Sequence, residues 1–303
     1  MDINKIEGEI VMKLLTFKYN GIQSVGVLST DERHVQPVYE IGLPYKTMNE
    51  LIEKMTLEEK QQLQTCALMN QGILLEQVEK CAPIPNPKQD IICLGINYMA
   101  HAVESARYKE EAFGGERPYA VYFSKRVNEA VPDGGDIPSY EGLVDSLDYE
   151  VELAVVIKKD AKNVKCKDAY DYIFGYTVIN DVSARNLQTR HKQWYLGKSL
   201  DGFLPMGPYL VTEDAFERPP VLKITSSVNE ELRQNATTDL LIFDISHVIE
   251  ELSQGMTLKA GTIIAMGTPA GVGMGFVPPK FLKSGDKVSC FIEGIGTLTN
   301  QVK

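Results

Sequence analysis

The sequence predicts a β-rich α+β fold preceded by a small α/β segment. Three observations carry that prediction: short apolar runs with Gly/Pro punctuation from about residue 117 onward, a helical window at residues 47–80, and a proline-rich connector at residues 81–88. Residues 13–45 alternate β-type runs with turn signals such as Tyr19-Asn20-Gly21. Inside the helical window, Met48, Leu51, Ile52 and Met55 recur at helical spacing, as do Leu63, Cys66 and Ala67, with Glu, Lys and Gln between them. Pro83, Pro85 and Pro87 make a stiff, extended connector. A domain boundary is expected there, giving a small N-terminal α/β domain (1–82) and a larger second domain (83–303). In the larger part, Ile91–Gly95 reads as a short buried strand. Further strands are expected at 119–123, 154–157, 177–179, 209–211, 262–265 and 288–292, and helices at 167–173 and 244–254.

At 303 residues the chain can bury a large core. A net charge of −10 makes nucleic acid and anionic membranes poor partners. No apolar run is long enough to span a membrane. The opening MDINKIEGEIVMKLLTF is acidic and mixed, unlike a secretory signal, and Met12 reads as a second plausible start. Cys66, Cys81, Cys93, Cys166 and Cys290 are odd in number, scattered and without a CxxC pair, which favours reduced thiols and a cytoplasmic protein. Cys93 and Cys290 sit in apolar runs, where a small buried hydrophobe is the simpler role.

The most informative stretch is residues 147–157, LDYEVELAVVI. Residues i and i+2 of a strand share a face, so Glu150 and Glu152 project together from a strand whose remainder reads as buried. Two buried carboxylates repel unless a cation compensates them. The competing reading is a solvated acidic face. A third oxygen ligand is available at Asp181, where an apolar run ends; helix N-cap is the competing role. Three carboxylates suit Mg²⁺ or Mn²⁺ and do not suit zinc.

Other residues carry chemistry less specifically. His101 and Glu104 have i,i+3 spacing, so on a helical turn the carboxylate could orient the imidazole; a surface pair is the alternative. Lys198 lies in a Gly-bounded segment and Lys125 just past a predicted strand, and each could meet a ligand carboxylate or simply be solvated. Residues 267–273 (GTPAGVG) follow a strand and lack the Lys-Ser/Thr ending of a P-loop. Backbone amides there, with Thr268 donating, suit a small carboxylate; a surface turn is the alternative.

These segments, in this order, resemble the fumarylacetoacetate hydrolase family: GINYMAHAVE at 95–104, DYEVELAVVI at 148–157, GYTVINDVSARNLQ at 175–188, KSLDGFLPMGP at 198–208 and GTPAGVG at 267–273. The likeness covers roughly residues 90–303. The resemblance implies a β-roll around a Mg²⁺ (or Mn²⁺) site, usually in a homodimer. It implies Glu150, Glu152 and Asp181 as metal ligands and His101 with Glu104 as a water-activating pair. It assigns Lys198 to the catalytic set and Lys125, Arg185, Gln188 and Thr268 to substrate binding or site organisation. Asn186 departs from the family's common Asp, and Arg126 from its Pro or Ser.

The implied chemistry is Mg-dependent C–C cleavage of a small 2-oxo (di)acid through a metal-stabilised enolate, as acylpyruvate hydrolysis or oxaloacetate decarboxylation. The joint presence of His101 and Glu104 leans towards cleavage. An isomerase or tautomerase acting on a 2-hydroxymuconate-type diacid is the alternative. A non-catalytic metal-binding protein is the alternative of another class.

Overall fold

Turn chemistry and capping set many element ends. The computed structural model describes residues 11–108 and 118–303; residues 1–10, the acidic opening, lie outside it. The first strands are β1 (Lys13–Tyr19), β2 (Ile22–Leu28) and β3 (His34–Pro37). Asn20 and Gly21 both take positive φ (51° and 77°), the two-residue hairpin that Asn-Gly favours. Next come α1 (Met48–Lys54), α2 (Leu57–Leu68), β4 (Ile73–Leu74) and β5 (Glu79–Lys80). The helical window is thus shorter than expected, because two short strands occupy its end. Thr56 and Glu59 form a reciprocal capping box at the start of α2.

The chain continues through β6 (Ile91–Gly95), α3 (Met99–Tyr108), β7 (Val121–Lys125), β8 (Asp136–Ile137), β9 (Leu147–Asp148) and β10 (Val151–Ile157). Then follow β11 (Ile173–Asn180), β12 (Ser183–Ala184), α4 (Arg185–Arg190), α5 (Tyr195–Lys198) and β13 (Met206–Thr212). The last elements are β14 (Lys223–Val228), β15 (Glu231–Thr237), α6 (Ile245–Gly255), β16 (Ile263–Ala265), β17 (Lys287–Ile292) and β18 (Gly296–Val302). The helix expected at 167–173 is a 3₁₀ helix over Cys166–Tyr172. Asp244 caps α6 by accepting the His247 amide.

An 11-stranded sheet has the order β4-β3-β2-β1-β13-β11-β10-β16-β6-β7, with β5 also on β1. A five-stranded sheet, β15-β14-β17-β18-β8, packs against it. Every residue of β10 and β11 is buried, and alternate side chains serve two cores. Leu153, Val155 and Ile157 join Ile224, Val288 and Leu298 on the five-stranded side. Ala154 and Val156 join Met48, Leu51 and Leu63 from α1 and α2 on the other.

The boundary expected at residues 82 and 83 divides neither sheet nor core. β1 pairs with β13, and the helices of the first segment cover strands of the second. The prolines stiffen a connector that docks on β1 instead of swinging free: Cys81 N–H donates to Thr16 O (2.9 Å) and Thr16 Oγ1 to Pro83 O (2.7 Å).

Candidate active site

The β10–β11 register pairs Val151 with Asn180, which brings Glu150 and Glu152 beside Asp181 at the neighbouring strand's end. The Asp181 N–H donates to Glu150 O (2.8 Å), and the Glu150 N–H to Asn180 Oδ1 (2.9 Å). One carboxylate oxygen from each of the three acids lies within 4.8 Å of the others, and all three residues are buried. The solvated-face reading of the glutamates is therefore excluded. So is the N-cap reading of Asp181: α4 begins four residues later, and the carboxylate accepts from Lys125 Nζ (2.7 Å) and Lys198 Nζ (2.6 Å).

Lys198 closes α5 and bridges Asp181 to Glu150 Oε2 (2.7 Å). Its placement needs a glycine before it, because a Cβ on Gly197 would stand 2.5 Å from the Gln188 amide nitrogen on α4. Arg185, first in α4, donates through Nη2 to Glu150 (2.6 Å), Nε to Asp148 (2.9 Å) and Nη1 to Gln188 Oε1 (3.0 Å). Four buried carboxylates (Asp148, Glu150, Glu152, Asp181) thus face three buried cations (Lys125, Arg185, Lys198).

The excess falls on Glu152. It accepts the Gly267 N–H (2.8 Å), with no cationic side chain bonded to it among the described residues. Burial, then Asp181 and Glu150, hold its carboxyl well above the ordinary range. Burial pushes Glu150 the same way, but Lys198 and Arg185 outweigh it, so Glu150 lies below that range. Burial lowers Lys198 as well, and Asp181 and Glu150 overcome it, leaving the ammonium firmly charged. The donor set fits a hard divalent cation: three clustered carboxylates, one of them with no cationic side chain bonded to it among the described residues.

His101 and Glu104 stand on α3 with Nδ1 and Oε2 3.0 Å apart, their side chains 6% and 11% exposed. Glu104 also accepts the Gly271 N–H at 3.0 Å, so the pair is not a surface contact. A carboxylate only accepts, so in the neutral imidazole Nδ1 carries the proton and Nε2 is the accepting nitrogen. Ahead of α3, Ile96 has φ +57°, a costly region for a β-branched residue. Asn97 holds it there, donating through Nδ2 to Met266 O (2.8 Å) and Phe243 O (2.9 Å) and accepting the Phe243 N–H (2.8 Å).

A cavity of about 540 Å³, including its open mouth, is lined by His101, Glu150, Glu152, Arg185, Gln188, Lys198 and Thr268, with Phe123, Trp194 and Met274 as apolar wall. Two expectations need correction. Lys125 is fully buried and lies outside this wall; it donates to Asp181 and to Val182 O (2.9 Å), so it organises the site without facing substrate. Thr268 reaches the wall, but its hydroxyl donates to Val151 O (2.8 Å) and accepts from Gln234 Nε2 (2.7 Å), so the expected donation to a ligand is already used. The glycine loop does offer amides to anions, and the anions are the protein's own: Gly267 serves Glu152 and Gly271 serves Glu104.

Sequence reasoning missed Asp148 and Gln234. Asp148 ends β9, two residues before Glu150, so continuing the same two-residue spacing one step back along the sequence could have found it. Gln234 comes from the other sheet, and no local pattern marks it.

A family model described as "Fumarylacetoacetate (FAA) hydrolase C-terminal" matches residues 90–303. The chain belongs to the fumarylacetoacetate hydrolase family. It is 50% identical over 228 residues to oxaloacetate tautomerase YisK of Bacillus subtilis (strain 168), covering 75% of this chain and 74% of that protein. It superimposes on the fumarylacetoacetate hydrolase of the psychrophile Exiguobacterium antarcticum with TM-score 0.81 at 37% identity, covering 96% of this chain and 99% of that one. The 5-carboxymethyl-2-hydroxymuconate delta-isomerase of Mycobacterium smegmatis gives TM-score 0.72 at 29% identity, over 96% and 99% of the two chains. Among the described residues no helix is long and apolar enough to cross a membrane.

Proposed function

We propose that the protein is a divalent-cation-dependent enzyme that moves a proton next to the keto group of a small 2-oxo diacid, interconverting its keto and enol forms. The supporting observation is that Glu150 and Glu152 line the same cavity as His101, Arg185, Gln188 and Lys198. Glu150, Glu152 and Asp181 would hold the cation, which when bound supplies Lewis-acid stabilisation of negative charge on the keto oxygen. Lys198 presents an ammonium to an anionic substrate. Arg185 occupies Gln188 Oε1, which turns the Gln188 amide N–H groups towards substrate oxygens. His101 Nε2 takes the proton from the carbon beside the keto group, and the C–H electron pair becomes the enol double bond. The same proton is then delivered to the oxygen, leaving the imidazole neutral. Glu104 holds the ring and offsets its transient positive charge.

The 50% identical relative is named for tautomerisation of oxaloacetate, which moves the reading from cleavage to proton transfer. Cleavage is the second reading, favoured by the hydrolase named among the structural relatives. There His101 would take its proton from an attacking water. Mg²⁺-loaded protein should be offered oxaloacetate, acylpyruvates and hydroxymuconate-type diacids. Loss of enol absorbance without pyruvate supports tautomerisation. Pyruvate release supports cleavage, and no turnover of any substrate overturns both.

A further inference from the structure

Asp148 is fully buried, and its carboxylate accepts from Arg185 on one side and from the amides of Gly273 and Met274 on the other. Oδ2 accepts Arg185 Nε (2.9 Å) and the Met274 N–H (3.0 Å). Oδ1 accepts the Gly273 N–H (2.6 Å) and the Tyr149 N–H (3.0 Å). Residues 271–275 are the strip against which α3 lies. The Gly271 N–H donates to Glu104, and Arg107 donates to Gly275 O. Fit is tight there: a Cβ on Gly275 would come within 1.8 Å of Glu104 Oε1.

We propose that Asp148 is a positioning residue that fixes the 271–275 strip as a latch for α3, and so holds Glu104 behind His101 while it also orients Arg185. An ionised carboxylate suits this task because it accepts several N–H donors at once, and such bonds are stronger than neutral ones. An amide at the same place accepts through one oxygen only, and its NH₂ would face N–H donors. The latch ties the proton-moving pair on α3 to the guanidinium beside the carboxylate cluster. Its catalytic consequence rests on the function proposed above; the latch itself does not.

The test uses Asp148→Asn, Gly275→Ala, Glu104→Gln and the double variants with Glu104→Gln. Asp148→Asn is expected to lower kcat about 10–100-fold, the usual loss for a residue orienting a site group, and to raise KM through Arg185. Gly275→Ala pushes on Glu104 without touching Arg185, so kcat should fall with KM unchanged. This split is one that general destabilisation would not give. Neither loss should multiply with that of Glu104→Gln, because both act through the same carboxylate. Backbone hydrogen exchange of residues 99–107 reads the latch without any substrate. It should speed up in Asp148→Asn and Gly275→Ala while β10 and β11 stay protected. Unchanged exchange in α3, or kcat losses that multiply with Glu104→Gln, would overturn the proposal. If Asp148→Asn does not fold, Gly275→Ala decides alone. If wild-type protein turns over no 2-oxo diacid, the functional reading fails and the exchange data still judge the latch.

Discussion

His101 Nδ1 lies 3.0 Å from Glu104 Oε2, and Glu104 is held in turn by the Gly271 amide. The imidazole is therefore oriented before any substrate arrives, with Nε2 as its accepting nitrogen. His101→Ala should slow turnover by roughly 10²–10⁴-fold, the range for a general acid–base group. Divalent-cation binding, measured by calorimetry, should stay within about twofold of wild type, because neither residue belongs to the carboxylate cluster. A large loss of cation affinity would show that His101 is part of the metal centre.

Glu152→Gln separates cation binding from folding. The amide oxygen can still accept from Gly267, and the variant removes the carboxylate to which no cationic side chain is bonded among the described residues. Cation-free variant should melt no lower than cation-free wild type. The rise in Tm that Mg²⁺ gives the wild type should disappear. An unaltered Mg²⁺-induced rise would remove Glu152 from the ligand set.

Lys125 tests the buried charge network. Its ammonium is fully buried and bonded to Asp181 and Val182 O. Lys125→Met leaves Asp181 with one fewer counter-charge, and breaking a buried pair costs about 3–5 kcal/mol. Denaturant unfolding should show a loss of that order. A loss below about 1 kcal/mol would mean that Lys198 alone compensates Asp181.

The pH dependence of stability can be read at Glu250. It accepts from the Cys166 N–H (2.8 Å) and Lys165 Nζ (3.2 Å), and hydrogen bonds from Cys166, then Lys165, hold its carboxyl down to about 2. A carboxyl lowered on folding contributes stability above its unfolded value of about 4.3, lost as pH falls towards the folded value. Glu250→Gln should therefore melt below wild type at pH 7. The gap should narrow as pH falls below about 4. A gap constant from pH 7 to 3 would assign the difference to shape instead of charge.

Much of the site was legible because it is built from short-range patterns. Glu150 and Glu152 follow the two-residue strand period, and His101 and Glu104 follow the helical turn. Asp181 needed only one adjacent strand. The strand-rich class was legible too, from apolar runs such as 154–157. What local pattern could not show was pairing between distant segments. β1 on β13 joins residues about two hundred positions apart, so the prolines between them read as a boundary. The commitment of Thr268 to Gln234 across two sheets, and the burial of Lys125 beneath the cavity wall, likewise depend on contacts that no residue spacing records.

The most direct test follows the enol band of oxaloacetate after mixing with catalytic amounts of protein in Mg²⁺, against Mg²⁺ alone. The band should relax at a rate proportional to wild-type protein, with no matching release of pyruvate. EDTA should abolish the acceleration, and Glu152→Gln should lack it. Relaxation at the buffer rate with Mg²⁺-saturated wild-type protein, or equal acceleration by Glu152→Gln, would contradict it.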